Sequence, residues 1–158
     1  MENNEMQAFD ANSLYPAANI VKTADGKFKR VATYKAFTSV RPETREQKIA
    51  MMNLLDSDDV ALPMNDYIGA KLKISDVITK PYDSVDEETG ELTNGVLTYL
   101  ITPDGMAYVT SSKSVYFTVQ TIFDVFGQPH YGEGDEIIVE IVKKQGQQFK
   151  YTDIKVVG

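Results

Sequence analysis

Residues Val96 to Val156 read VLTYLITPDGMAYVTSSKSVYFTVQTIFDVFGQPHYGEGDEIIVEIVKKQGQQFKYTDIKV. The order is strand, turn, strand, helix, strand, turn, strand, with little between the elements. The helix is the strongest local signal. Val115, Val119, Ile122, Phe123 and Phe126 recur at helical spacing and fall on one stripe. Ser112 or Ser114 can cap its start, and Gly127 stands where a helix stop is expected. The stripe marks the helix as core, so function is sought on the strands and hairpins around it.

Working outward, Gly95 to Thr102 and Met106 to Ser111 are two strands joined by Pro103-Asp104-Gly105. In that turn proline presets φ and glycine supplies the positive φ that follows. Glu136 to Lys144 and Gln148 to Val157 form a second pair around Gln145-Gly146-Gln147. Upstream, Ala70 to Lys80 alternates through Leu72 and Ile74. It then slips phase at Asp76-Val77-Ile78, which a β-bulge would explain, letting one long strand bend between two layers. Pro81 is expected to close it, leaving Asp83 to Gly90 as an acidic loop. From Tyr67 the order is therefore β, β, β, α, β, β. A five-stranded Greek-key barrel with one helix between strands three and four has this order, the OB-fold arrangement. The helix would then plug its open end with Val119, Ile122 and Phe126.

Residues 67–158 are read as this OB-like barrel and residues 1–66 as an N-terminal extension packed on it. In the extension, Leu14-Tyr15-Pro16 suggests a docking contact and Ala24 to Lys27 a turn. Phe28 to Val40 alternates as one strand or two short ones. Thr44-Arg45-Glu46-Gln47 has the form of a capping box. A short helix from Thr44 to Leu55 follows, with Ile49, Met51, Met52 and Leu55 facing inward.

Composition narrows the function classes. The 158 residues are 42% hydrophobic, enough for a core. No apolar run approaches the roughly 20 residues of a membrane helix, and the acidic start does not resemble a signal peptide. A chain without cysteine has no disulfide, thiolate metal site or cysteine nucleophile, which fits a reducing, cytoplasmic interior. One histidine, His130, excludes a multi-histidine metal site. It lies in the Gln128 to Asp135 loop beside Pro129 and Tyr131, and reads as a surface or ligand-contacting group. Gly132-Glu133-Gly134 is too short and acidic for a phosphate loop, and Asp83 to Glu91 lacks EF-hand spacing. No catalytic residue, metal or cofactor is expected, and the chain reads as non-enzymatic.

The net charge of −7 argues against nucleic acid when taken whole. Its distribution argues otherwise, because Lys27 to Lys48 carries seven basic residues against two acidic ones. Aromatic and basic residues interleave on the strands, as in nonspecific single-strand binders. Lys71 and Lys73 share a face of the first barrel strand. Tyr99 and Tyr108 flank the Pro103 to Gly105 turn. On the last strand Phe149 and Tyr151 share a face opposite Lys150, and Lys143 and Lys144 face the same hairpin. Each such aromatic also has an ordinary reading as a core or cross-strand residue. Tyr116 and Phe117, off the helix stripe beside Lys113, are expected to contact the N-terminal segment.

At VLTYLITPDGMAYVTSSKSV, the helix to Phe126 and IIVEIVKKQGQQFKYTDIKV, the chain resembles the small single-stranded DNA-binding proteins of tailed phages of Gram-positive bacteria. That group includes the type serving protein-primed replication. The resemblance covers less than half the chain and has no counterpart before Tyr67. It implies an OB fold that coats displaced strands during phage DNA replication in the host cytoplasm. The expected partner is single-stranded DNA, with replication proteins such as a DNA polymerase alongside. Lys71, Lys73, Lys143, Lys150 and Arg30 are expected to neutralise phosphates, and Tyr99, Tyr108, Phe149 and Tyr151 to offer stacking faces. The alternative is a protein-binding module of the same fold, a phage structural or regulatory subunit, which the acidic 83–91 loop favours. Oligomeric state, site size, the choice of DNA or RNA and the role of residues 1–66 stay open.

Overall fold

The computed structural model describes residues 18–22, 28–57 and 59–158, the first two strands through their backbone pairing. Leu14 to Pro16 and the Ala24 to Lys27 turn lie outside the described residues. The elements are β1 Ala18–Lys22, β2 Phe28–Ala32, β3 Phe37–Thr38, α1 Arg45–Asp56, β4 Leu62–Pro63, a short 3-10 turn Met64–Tyr67, β5 Lys71–Ile74 and β6 Asp76–Val85. After these come β7 Leu92–Ile101, β8 Ala107–Thr110, α2 Lys113–Phe126, β9 Ile137–Gln145 and β10 Lys150–Val156. The protein is mainly β, with eight of these strands in two sheets of order β3-β6-β7-β8-β4 and β10-β9-β5. β1 and β2 form a separate antiparallel pair.

The long first strand divides at Ser75, beside the phase slip. Ile74 and Ser75 are both buried, so the strict alternation that would keep one sheet is broken. Ser75 N–H donates to the Ile101 carbonyl at 2.9 Å. The chain thereby passes from the three-stranded sheet to the five-stranded one. Pro81 does not end the strand, which runs to Val85 opposite Leu92. β3 pairs only with Ile78 and Thr79, so at Pro81 no ladder bond is required on that side. Asp83 to Val85 therefore belong to a projecting hairpin.

The expected strand over 28–40 is two pieces, β2 and β3. Among the described residues no ladder joins β8 to β10. That gap is spanned by Leu62 to Tyr67: β4 pairs parallel with β8, and Met64 is fully buried in the core between the sheets.

Ser112 caps α2 by accepting the Val115 N–H, and Gly127 ends it with a φ of 87°. Val115, Val119 and Ile122 join Leu72, Ile74, Leu100, Val139 and Ile141 in the main core. Phe123 packs on Phe37 at 5.0 Å. Phe126 does not plug the core; it lies in the final turn and is 51% exposed. Tyr116 is buried beside Val96 and Tyr34. Its hydroxyl accepts the Lys35 N–H at 3.1 Å, so this helix does hold the N-terminal segment as expected.

α1 starts with the expected capping box between Thr44 and Gln47. Its inward stripe is displaced, because Ile49 and Met52 are exposed. Met51 and Leu55 do face inward as expected, and with Leu54 they rest on Ile78, Tyr99 and Ala107 of the outer sheet face. Both sets satisfy helical spacing, so only the sheet surface decides between them.

Candidate nucleic-acid interface

A groove of about 550 Å³ opens between the start of α2 and the β9–β10 hairpin. Its walls carry Lys113, Lys143, Phe149, Lys150 and Tyr151. Three local features build it. The hairpin is closed by Gly146 N–H donating to the Phe149 carbonyl at 3.0 Å. A side chain at Gly146 would meet that oxygen at 2.9 Å, so glycine alone fits. The bend places Phe149 ahead of β10 and leaves its ring 70% exposed.

The second feature is the helix start. Ser112 donates to the Thr152 carbonyl at 2.6 Å while capping α2. That bond ties the helix N-terminus to β10, and Lys113 and Ser114 border the groove. Free N–H groups of a first helical turn, with the partial positive charge there, favour anions.

The third feature is the floor. The Thr152 hydroxyl donates to Asn65 Oδ1, and Lys143 Nζ reaches Thr152 Oγ1 at 3.4 Å. Thr152 is 5% exposed. Lys113, Lys143 and Lys150 form no ion pair among the described residues. Lys144 differs. It is bound to the buried Asp153 at 3.0 Å, and that hydrogen bond and charge push its pKa up. Its charge is matched within the protein, which removes it from the phosphate-binding set.

The sequence-predicted residues divide accordingly. The groove brings together Lys143, Phe149, Lys150 and Tyr151. Phe149 and Tyr151 do not share a strand face opposite Lys150, because β10 begins only at Lys150. Lys71 and Lys73 are exposed on the edge strand of the three-stranded sheet, opposite Glu140 and Ile138, and do not line the groove. Arg30 pairs with Ile20 through its backbone; its side chain lies outside the described residues. Tyr99 and Tyr108 do not form one platform. Tyr99 stands opposite Val109 and Tyr108 opposite Leu100, which puts the two rings on opposite sheet faces. Tyr99 is 4% exposed beneath α1, so no stacking face is available there. Tyr108 is half-buried, edge-on to Tyr67 at 5.3 Å.

Lys113, Ser114 and Asn65 were not among the predicted site residues. The Ser-Ser-Lys-Ser start of α2 was the available signal for the first two. Asn65, on the connector before β5, offered none. His130 is held 2.9 Å from Asp76, a structural contact away from the groove.

Residues 31–154 match the family described as Phage Single-stranded DNA-binding protein. The chain belongs to that family. It is 40% identical over 137 residues to the single-stranded DNA-binding protein of Bacillus phage GA-1, covering 85% of this chain and 81% of that one. No solved structure matches.

Proposed function

We infer that the protein binds single-stranded DNA without sequence preference and covers strands displaced in phage DNA replication. The observation that carries this is Phe149. A phenylalanine left 70% exposed, at the lip of a groove with three lysines that make no ion pair among the described residues, is costly for the free protein and useful for a strand. A base can stack on the ring while Lys113, Lys143 and Lys150 meet phosphates. Tyr151 offers a second ring on the same wall. Lys71, Lys73 and Arg30 serve a longer strand beyond the groove. No residue is assigned a catalytic role.

The strand order supports an OB-like barrel, with β5 and β6 acting as one bent strand shared by both sheets and residues 67–158 as the barrel unit. Of the extension before Tyr67, the pieces at Phe37–Thr38 and Leu62–Pro63 add edge strands to the five-stranded sheet. The working site would be the host cytoplasm, beside replication proteins such as a DNA polymerase.

The test is a titration of labelled oligo-dT against a duplex of the same length, at several salt concentrations. Preference for the single strand, weakening steeply with salt, is the expected result. Equal affinity for both, or an affinity indifferent to salt, overturns the reading.

A further inference from the structure

The β6–β7 ribbon carries unlike surfaces at its two ends. At one end the strands run in register to Val85 opposite Leu92, beyond the core. Val85 is 60% and Leu92 68% exposed, and Asp83, Asp86, Glu87 and Glu91 stand around them. These acids form no ion pair among the described residues. At the other end a groove of about 530 Å³ lies between α1 and the sheet. Val40, Met51, Leu54, Ile78, Ile101 and Met106 make it apolar. Arg41 stands on its wall, and Arg45 and Lys48 are exposed on the same helix. None of the three has an acidic partner among the described residues.

We propose that the Val85–Leu92 hairpin tip of one copy docks into the α1 groove of the next copy. Two aliphatic side chains wrapped in acids match an apolar slot whose one charged lining residue is Arg41. A hairpin cannot reach the groove of its own chain, because Ile78 and Val85 lie roughly 24 Å apart along one strand at ~3.4 Å per residue. A contact between different surfaces at opposite ends repeats as an open row rather than closing into a dimer. Copies laid head to tail along one DNA strand would hold each other there. The scheme rests on the single-strand-binding reading for its scaffold, and a short oligonucleotide tests that reading separately.

The experiment compares binding to a long poly-dT with binding to an oligonucleotide that holds one protein. Wild type should fill the long strand with a steep isotherm. The hairpin variant Val85→Ser/Leu92→Ser and the groove variant Arg41→Glu/Met106→Glu should each lose that steepness, with cooperativity falling at least tenfold. Their affinity for the short oligonucleotide should stay within about twofold of wild type, which also reports intact folding. Arg41→Glu alone and Glu87→Lys/Glu91→Lys alone should each impair the row, and the three changes together in one chain should restore it. Steepness retained in both double variants, or lost in only one of them, overturns the proposal. So does a wild-type isotherm without steepness. Loss of short-oligonucleotide binding by wild type would instead refute the strand-binding reading.

Discussion

Thr152 on the last strand donates its hydroxyl to Asn65, 87 residues earlier. This bond links the turn after one sheet's edge strand to an edge strand of the other sheet. β4, just before Asn65, pairs with β8, while Thr152 belongs to β10. The same hydroxyl receives Lys143, so one buried group supports both this long-range link and the groove. Asn65→Ala should lower stability by about 1 kcal/mol, the usual net worth of such a bond. For a domain of this size that is a fall in Tm of about 2–4 °C. Thr152→Val keeps the shape but removes both ties, so it should also weaken strand binding several-fold by freeing Lys143. Calorimetry with an oligo-dT titration checks both. Equal binding by Thr152→Val and wild type would mean that Lys143 needs no such anchor.

Phe149→Ala should leave the melting temperature unchanged, because the ring is exposed and makes no core contact. It should weaken oligo-dT binding by about 1–3 kcal/mol, the range for one lost base stack. Phe149→Trp should preserve affinity and supply the tryptophan fluorescence that the chain otherwise lacks, quenched on strand binding. Tyr99→Ala should do the reverse. It opens a cavity under α1 and should cost about 3 kcal/mol of stability. A variant that unfolds readily yet binds normally when folded confirms Tyr99 as core.

The contrast between those two aromatics shows what the sequence conveyed. Alternation located β7 and β8 to within a few residues, yet it could not say which face was outer. That depended on α1, a helix whose own stripe has two acceptable readings. Tyr99 and Tyr108 flank one turn, but the register pairs 99 with 109, and one position of offset moves a side chain through the sheet. The hairpin lysines were legible because charge and glycine place them at a solvent-facing tip, whereas Phe149 was expected on the last strand and lies just before it. Asn65 was not legible, since its role arises from a long-range bond that leaves no local pattern. Pro81 misled because proline is read as a strand end, and the neighbour that would have needed its N–H is missing there.

Phosphate contacts are countable through salt. Each lysine that meets a phosphate adds about 0.7 to the slope of log affinity against log salt for a single strand. Lys113→Gln, Lys143→Gln and Lys150→Gln should each lower the slope by about that amount on a short oligonucleotide. Lys144→Gln should not, because Lys144 is already matched by Asp153. Lys71→Gln and Lys73→Gln should leave the short-strand slope alone and lower it only on strands long enough to leave the groove. A full slope change from Lys144→Gln would show that the Asp153 pair opens when DNA binds.

Alkaline pH should destabilise the protein, with Tyr131 and Lys144 acting with the same sign. Tyr131 is 8% exposed and donates its hydroxyl to the Gly127 carbonyl. Burial pushes its pKa up to about 12. In the unfolded chain a tyrosine ionises near its ordinary value of about 10. Between those values the unfolded state gives up the proton while the folded state keeps it, so stability falls as pH rises. Lys144 acts likewise: Asp153 holds its proton in the folded state, and that stabilisation, present below the ordinary lysine pKa, fades above it. The denaturation midpoint in guanidinium should therefore drop across pH 10–12. Tyr131→Phe should start lower, having lost its hydrogen bond, but decline less steeply over that window. Lys144→Gln should remove the lysine share and leave the tyrosine share. A Tyr131→Phe curve parallel to wild type throughout would locate the alkaline loss in other groups, with Tyr34 and Tyr116, whose pKa values burial also raises, the next to replace.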